Sequence, residues 1–130
     1  MVRAGYNVYK VTFLPRRQRV AEMIAVVPSQ NQYQGTGTIY HVFGNVGSGM
    51  HRGRHRDANF SRSERFKSSI FQFYFPEEEL WLFEAIVNLH EAPHDPWVLP
   101  MAHLDRSIPY AKEWVENVLE YATEYLSVQY

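Results

Sequence analysis

Six histidines and no cysteine set the chemistry open to this chain of 130 residues. Without a thiol, disulfides, thiolate metal sites and cysteine nucleophiles are excluded. The densest reactive group is His90-Glu91-Ala92-Pro93-His94, which spells the zinc-protease pattern H-E-x-x-H. That pattern works when one continuous helix holds both imidazoles on one face. Pro93 stands between them, removing a helix donor and clashing with the carbonyl four residues back. The segment therefore reads as a helix C-terminus with His90 on the last carbonyls, and no metal is expected even with His103 further on. A second group is the segment 44–65, GNVGSGMHRGRHRDANFSRSER, with 4 Gly, 5 Arg and 2 His. Glycines expose backbone N–H groups and arginines match phosphate oxygens bidentately. No lysine-serine pair opens a helix there, so the segment reads as a solvated basic loop pairing with acidic residues in the monomer or an oligomer. His51 and His55 lie four apart, but Arg52, Arg54, Arg56 and Arg62 oppose a divalent cation. No G-x-S-x-G or G-x-G-x-x-G motif is present, and no cofactor is expected.

Alternating β-branched and aromatic residues predict four strands to position these groups. They run from Tyr6 to Leu14, from about Val20 to Val27, from Thr38 to Phe43 and from Ser68 to Phe75. In the first, Val8, Lys10 and Thr12 oppose Tyr9, Val11 and Phe13, and Pro15 with Arg16, Arg17 and Arg19 breaks it. Pro28 ends the second, because proline cannot donate to a ladder. Gly35, Gly37 and Gly44 bracket the third. Phe71, Phe73 and Phe75 are expected on one face of the fourth. Pro76 and Glu77 to Glu79 open a helix whose Leu80, Leu82, Phe83, Ile86, Val87 and Leu89 make a broad apolar face. Pro93 and Pro96 close it. A second helix spans about Ile108 to Leu126, with Ser107 as N-cap and Pro109 in its first turn. Its Ala111, Trp114, Val115, Val118, Ala122 and Tyr125 recur at helical spacing. Strands followed by helices predict an α+β fold, an antiparallel meander of about four strands packed on two helices, in one domain spanning 1–130.

The net charge of −1 conceals two poles. Residues 1–67 hold 11 Lys/Arg against 3 Asp/Glu, whereas residues 68–130 hold 2 against 11. Such halves suit a homo-oligomer joined through opposite poles, while the acidic half weakens any phosphate-driven contact. No long apolar run marks a membrane span or signal sequence, which predicts a cytoplasmic protein without membrane contact.

Three segments carry a resemblance. Glu22-Met23-Ile24-Ala25-Val26-Val27-Pro28, Gly37-Thr38-Ile39-Tyr40-His41-Val42-Phe43-Gly44 and Ala111-Lys112-Glu113-Trp114-Val115-Glu116-Asn117-Val118-Leu119 follow one another over about residues 8–122. Together they resemble small fungal proteins of uncharacterised function, whose pattern in turn looks like the permuted papain-like superfamily that includes lecithin retinol acyltransferase. That resemblance implies a histidine base on an early strand, a polar orienting residue on the next and a cysteine at a helix N-terminus. By position the base falls on Glu22, the orienting residue near His41 and the nucleophile on Ala111. Alanine cannot attack, so cysteine-type acyl transfer is excluded.

What the resemblance leaves is a carboxylate, an imidazole and room where a thiol would sit. If Glu22 and His41 share a face on adjacent strands, they form an acid–base pair suited to proton transfer near neutral pH. Tyr40 and Tyr110 are candidate phenolic donors. Ala111, Trp114, Trp97 and Phe73 are candidate binding residues, with core packing the alternative for most aromatics. Trp97, between Pro96 and Pro100, is the best candidate for an exposed aromatic lid. The expected function is a degenerate hydrolase-like fold that binds a small organic molecule, as a cofactor-free cyclase or isomerase of fungal specialised metabolism. The alternative is a non-catalytic peptide- or protein-binding pseudoenzyme, and nucleic-acid binding through the basic loop comes last.

Overall fold

Five strands form one antiparallel sheet in the computed structural model, which describes residues 4–13, 21–31, 36–98 and 104–130. They are β1 (Gly5–Phe13), β2 (Ala21–Pro28), β3 (Thr36–Phe43), β4 (His51–Asn59) and β5 (Phe66–Pro76). Their spatial order is β4-β3-β2-β1-β5, a meander with the last strand added beside the first. Helices α1 (Leu80–Leu89) and α2 (Ile108–Tyr125) complete the α+β architecture. The expectations placed on Leu14, Pro15, the arginines at 16, 17 and 19, Val20, Gly35, Pro100 and His103 lie outside the described residues.

The strand missing from the sequence reading is β4, which occupies the middle of the segment expected to be a loop. Before Ala58 it carries no apolar side chain, so hydrophobic alternation could not report it. Its alternation is of another kind: His51, Gly53 and His55 on one face, Arg52 and Arg54 on the other. Backbone pairing with β3 holds it in place, from Phe43 opposite His51 to Thr36 opposite Asn59.

Both faces of the sheet bury apolar side chains. Val8, Ile24, Val26, Tyr40, Val42, Phe73 and Phe75 meet Phe83, Ile86, Trp114, Val115 and Val118 of the helices. Phe73, Phe75 and Phe83 are fully buried, and each contributes roughly 1.5–3 kcal/mol by leaving water. The opposite face gathers Val11, Ala25, Val27 and Ile39 with Phe60, which follows β4 and packs against Phe66 at the start of β5.

Phe71 departs from the single face expected for the three phenylalanines of β5. Val8 pairs with Phe73 but Tyr9 pairs with Phe71, so Gln72 is an extra residue in the ladder. This bulge turns Phe71 to the second face, edge-on to Tyr9 with ring centroids 5.8 Å apart. On the helices, Leu89 and Tyr125 are exposed instead of buried, and Leu119 takes a core position. Ser107 is not a side-chain N-cap. Its backbone is already helical, and its Oγ accepts the Val46 N–H at 3.0 Å.

Candidate functional site

The side chains singled out in the sequence fall into three separate places. Glu22 belongs to the helix-covered face of β2, with Ile24 and Val26. Ile24 pairs with Tyr40 and Ala25 with Ile39, so alternation sends His41 to the opposite face. Glu22 and His41 therefore do not form the expected acid–base pair. Glu22 Oε2 is buried and has no hydrogen-bond partner among the described residues.

His41 instead meets His55 of the edge strand, Nε2 to Nε2 at 3.0 Å, with the rings stacked 5.0 Å apart. Phe43 stacks on the other side of His41 at 5.4 Å. Burial, and then the neighbouring His55 imidazole, push the His41 pKa below its ordinary 6.5. Tyr40 lies on the far side of β3 in the core, edge-on to Phe83 at 5.5 Å. Burial first and the Glu84 carboxylate second raise its pKa far above 10, so it stays a neutral phenol inside the protein.

Arg52 and Arg54 of β4 point away from the histidines. Arg52 donates to the carbonyl of Asn88 at 2.6 Å, where the C-terminal end of α1 favours a cation. Arg54 pairs with Glu84 of α1 at 2.6 Å. The basic and acidic halves thus touch within one chain.

The third place is an open cleft of about 590 Å³ beside the first turns of α2. Leu89, Pro93 and Trp114 give it an apolar floor; His90, Glu91, His94, Tyr110, Glu113 and Asn117 supply polar groups. Pro93 ends the continuous helix that a zinc pattern needs, and α1 stops at Leu89. As expected from sequence, His90 sits at that helix end, its Nδ1 bonded to the Ile86 carbonyl at 2.8 Å. Trp114 donates its indole N–H to the His90 carbonyl at 2.9 Å, tying α2 to the end of α1. Among the described residues, no three His, Asp or Glu side chains converge as a metal site.

Tyr110 donates its hydroxyl to Asp95 Oδ2 at 2.5 Å, and the backbone N–H of Trp97 donates to Asp95 Oδ1 at 3.0 Å. These two bonds hold the Asp95 carboxyl below its usual pKa, and the same Asp95 contact raises Tyr110. Both groups are thereby settled at neutral pH: an anion, and a phenol whose proton is already donated. The surrounding backbone is stitched across the sequence. Met50 N–H donates to the Pro93 carbonyl at 2.8 Å and Asp95 N–H to the Val46 carbonyl at 2.9 Å. The turn at 44–50 is therefore anchored to the segment that carries Pro93 and His94 into the cleft, not a free loop.

Ala111 lies in the first turn of α2 but faces the core, as does Trp114, so only the latter's edge reaches the cleft. Trp97 is 93% exposed. Phe73 is core; its edge borders a smaller hollow of about 220 Å³ with Lys10, Glu116 and Tyr130. Sequence reading missed Asp95, Glu113, Asn117 and the His41–His55 contact. The period-2 alternation of arginine with glycine or histidine at 51–56 was the one available signal for the last.

No helix among the described residues is long and apolar enough to cross a membrane. Neither the curated proteins nor the solved structures yield a match to the sequence. A family model does match: residues 8–124 fit DUF6540, described as a family of unknown function, and the chain belongs to that family.

Proposed function

We propose that this protein binds a small organic molecule in the cleft at the start of α2. The observation that carries the reading is the cleft itself, an open space of about 590 Å³ with an apolar floor and convergent polar groups. The polar groups are mostly acceptors. The Tyr110 proton is occupied by Asp95, and Glu91 and Glu113 are carboxylates. A ligand that offers hydrogen-bond donors, such as an organic amine, complements them.

The permuted papain-like form of the reading draws support from position. Ala111 sits in the helix turn where the resemblance implies a nucleophile, and the cleft opens over its neighbours Tyr110 and Trp114. In the catalytic form, a cofactor-free cyclase or isomerase, proton handling falls to the cleft's own His94, Glu91 and Glu113 in place of His41 and Glu22, with Tyr110 fixed on Asp95. The peptide-binding alternative draws on two exposed apolar side chains, Leu89 in the cleft and Trp97 on the connector two residues after Asp95.

A protein-observed NMR screen of small amines, neutral fragments and short peptides against isotope-labelled protein tests the proposal. Binding amines should shift the amides of Leu89, His94, Tyr110 and Glu113, and Glu113→Gln should weaken them. Peptides shifting the same amides in place of amines would favour the alternative. Fragments that bind only elsewhere, or none that bind, would refute both.

A further inference from the structure

The paired imidazoles on the outer face of β3 and β4 lie apart from the cleft and have no part in the reading above. We propose that His41 and His55 are a two-imidazole site for a late first-row divalent cation of tetragonal geometry, Cu(II) or Ni(II). Their Nε2 atoms stand 3.0 Å apart. Two cis ligands at metal–nitrogen distances of about 2.0–2.1 Å are separated by roughly 2.8–3.0 Å, whereas tetrahedral ligands stand nearer 3.3 Å. Rotation of the two rings about their side-chain bonds replaces the nitrogen–nitrogen contact by two bonds to one ion.

Three features of the strands prepare this geometry. Gly53 lies directly opposite His41 in the ladder. A Cβ there would fall 2.5 Å from His41 Nε2, so the absence of a side chain is what lets the ring lie over β4. Phe43 stacks on His41 from the other side and holds its ring plane. Two of the four nearby positive charges are turned away. Arg52 and Arg54 project to the opposite face of β4, bonded to the Asn88 carbonyl and to Glu84. Two protein ligands leave the other coordination positions to water or to a donor atom of a bound molecule.

Chelator-stripped protein titrated with NiCl2, followed through the histidine ring resonances, tests the site. His41 and His55 should broaden together, at lower metal concentration than His51, His90 and His94. His55→Gln, at an exposed position, should weaken binding at least about tenfold by turning a two-point contact into one. Gly53→Ala should also weaken it while retaining both imidazoles, because its methyl displaces the His41 ring. Parallel broadening of all histidines, or an affinity unchanged in either variant, would overturn the proposal.

Discussion

Replacing Ser107 by alanine should release the turn at 44–50 that holds the Pro93–Asp95 segment of the cleft. Ser107 is buried at the start of α2, and its Oγ accepts the N–H of Val46, which is fully buried as well. The Val46 carbonyl in turn accepts the Asp95 N–H at 2.9 Å, so one hydroxyl anchors the chain of contacts that ends at Tyr110. Alanine leaves the Val46 N–H buried without its acceptor, which costs about 1–3 kcal/mol. The missing oxygen leaves little volume, so cavity formation adds little to this. An unfolding entropy of roughly 2.1 cal/mol/K per residue gives about 270 cal/mol/K for 130 residues, and a fall in Tm of roughly 4–11 °C. Urea unfolding should show a lower midpoint with an unchanged slope. Native-state hydrogen exchange should show the Val46 amide losing protection ahead of the amides of β1 and β2. Ser107→Thr, which keeps the hydroxyl, should restore most of the loss. A Ser107→Ala protein within about 0.5 kcal/mol of the parent, with Val46 still protected, would refute the reasoning.

Three further outcomes are expected. The His41 pKa is lower in the folded protein than its ordinary 6.5, so the unfolded chain binds more protons between the two values. Stability is then full above pH 6.5 and declines as pH falls through 6.5 toward the folded value; His41→Gln should flatten that part of a pH series of urea midpoints. Glu84→Gln should cost less than about 1 kcal/mol, since both partners of the Arg54–Glu84 pair are partly exposed, and the loss should shrink at high salt. Trp97→Ala should change stability by less than about 0.5 kcal/mol, because the side chain is 93% exposed; a larger loss in thermal unfolding would place it in a packed contact.

Much of the fold was legible because the signals are local. Pro28 and Pro76 close β2 and β5, and Pro109 sits in the first turn of α2, where a missing N–H does no harm. The H-E-x-x-H segment could be rejected as a helix pair from Pro93 alone. The failures share one cause as well. A strand that buries its backbone pairing but no apolar side chain, as β4 does, leaves no hydrophobic trace. A bulge such as that at Gln72 shifts every later side chain to the other face without changing composition.

The sequence by itself determined the class of fold, the ends of most elements and the exclusion of thiol chemistry, since each follows from residue type or near-neighbour spacing. Only the tertiary structure decided which reactive groups meet. Glu22 and His41 lie on neighbouring strands of the same sheet, yet register and the two-residue period of a strand put them on opposite faces. The same rule joins His41 to His55 across a ladder closed at Gly53, and turns the arginines between them toward α1. Strand register, which depends on pairing between distant segments, cannot be read from either segment alone.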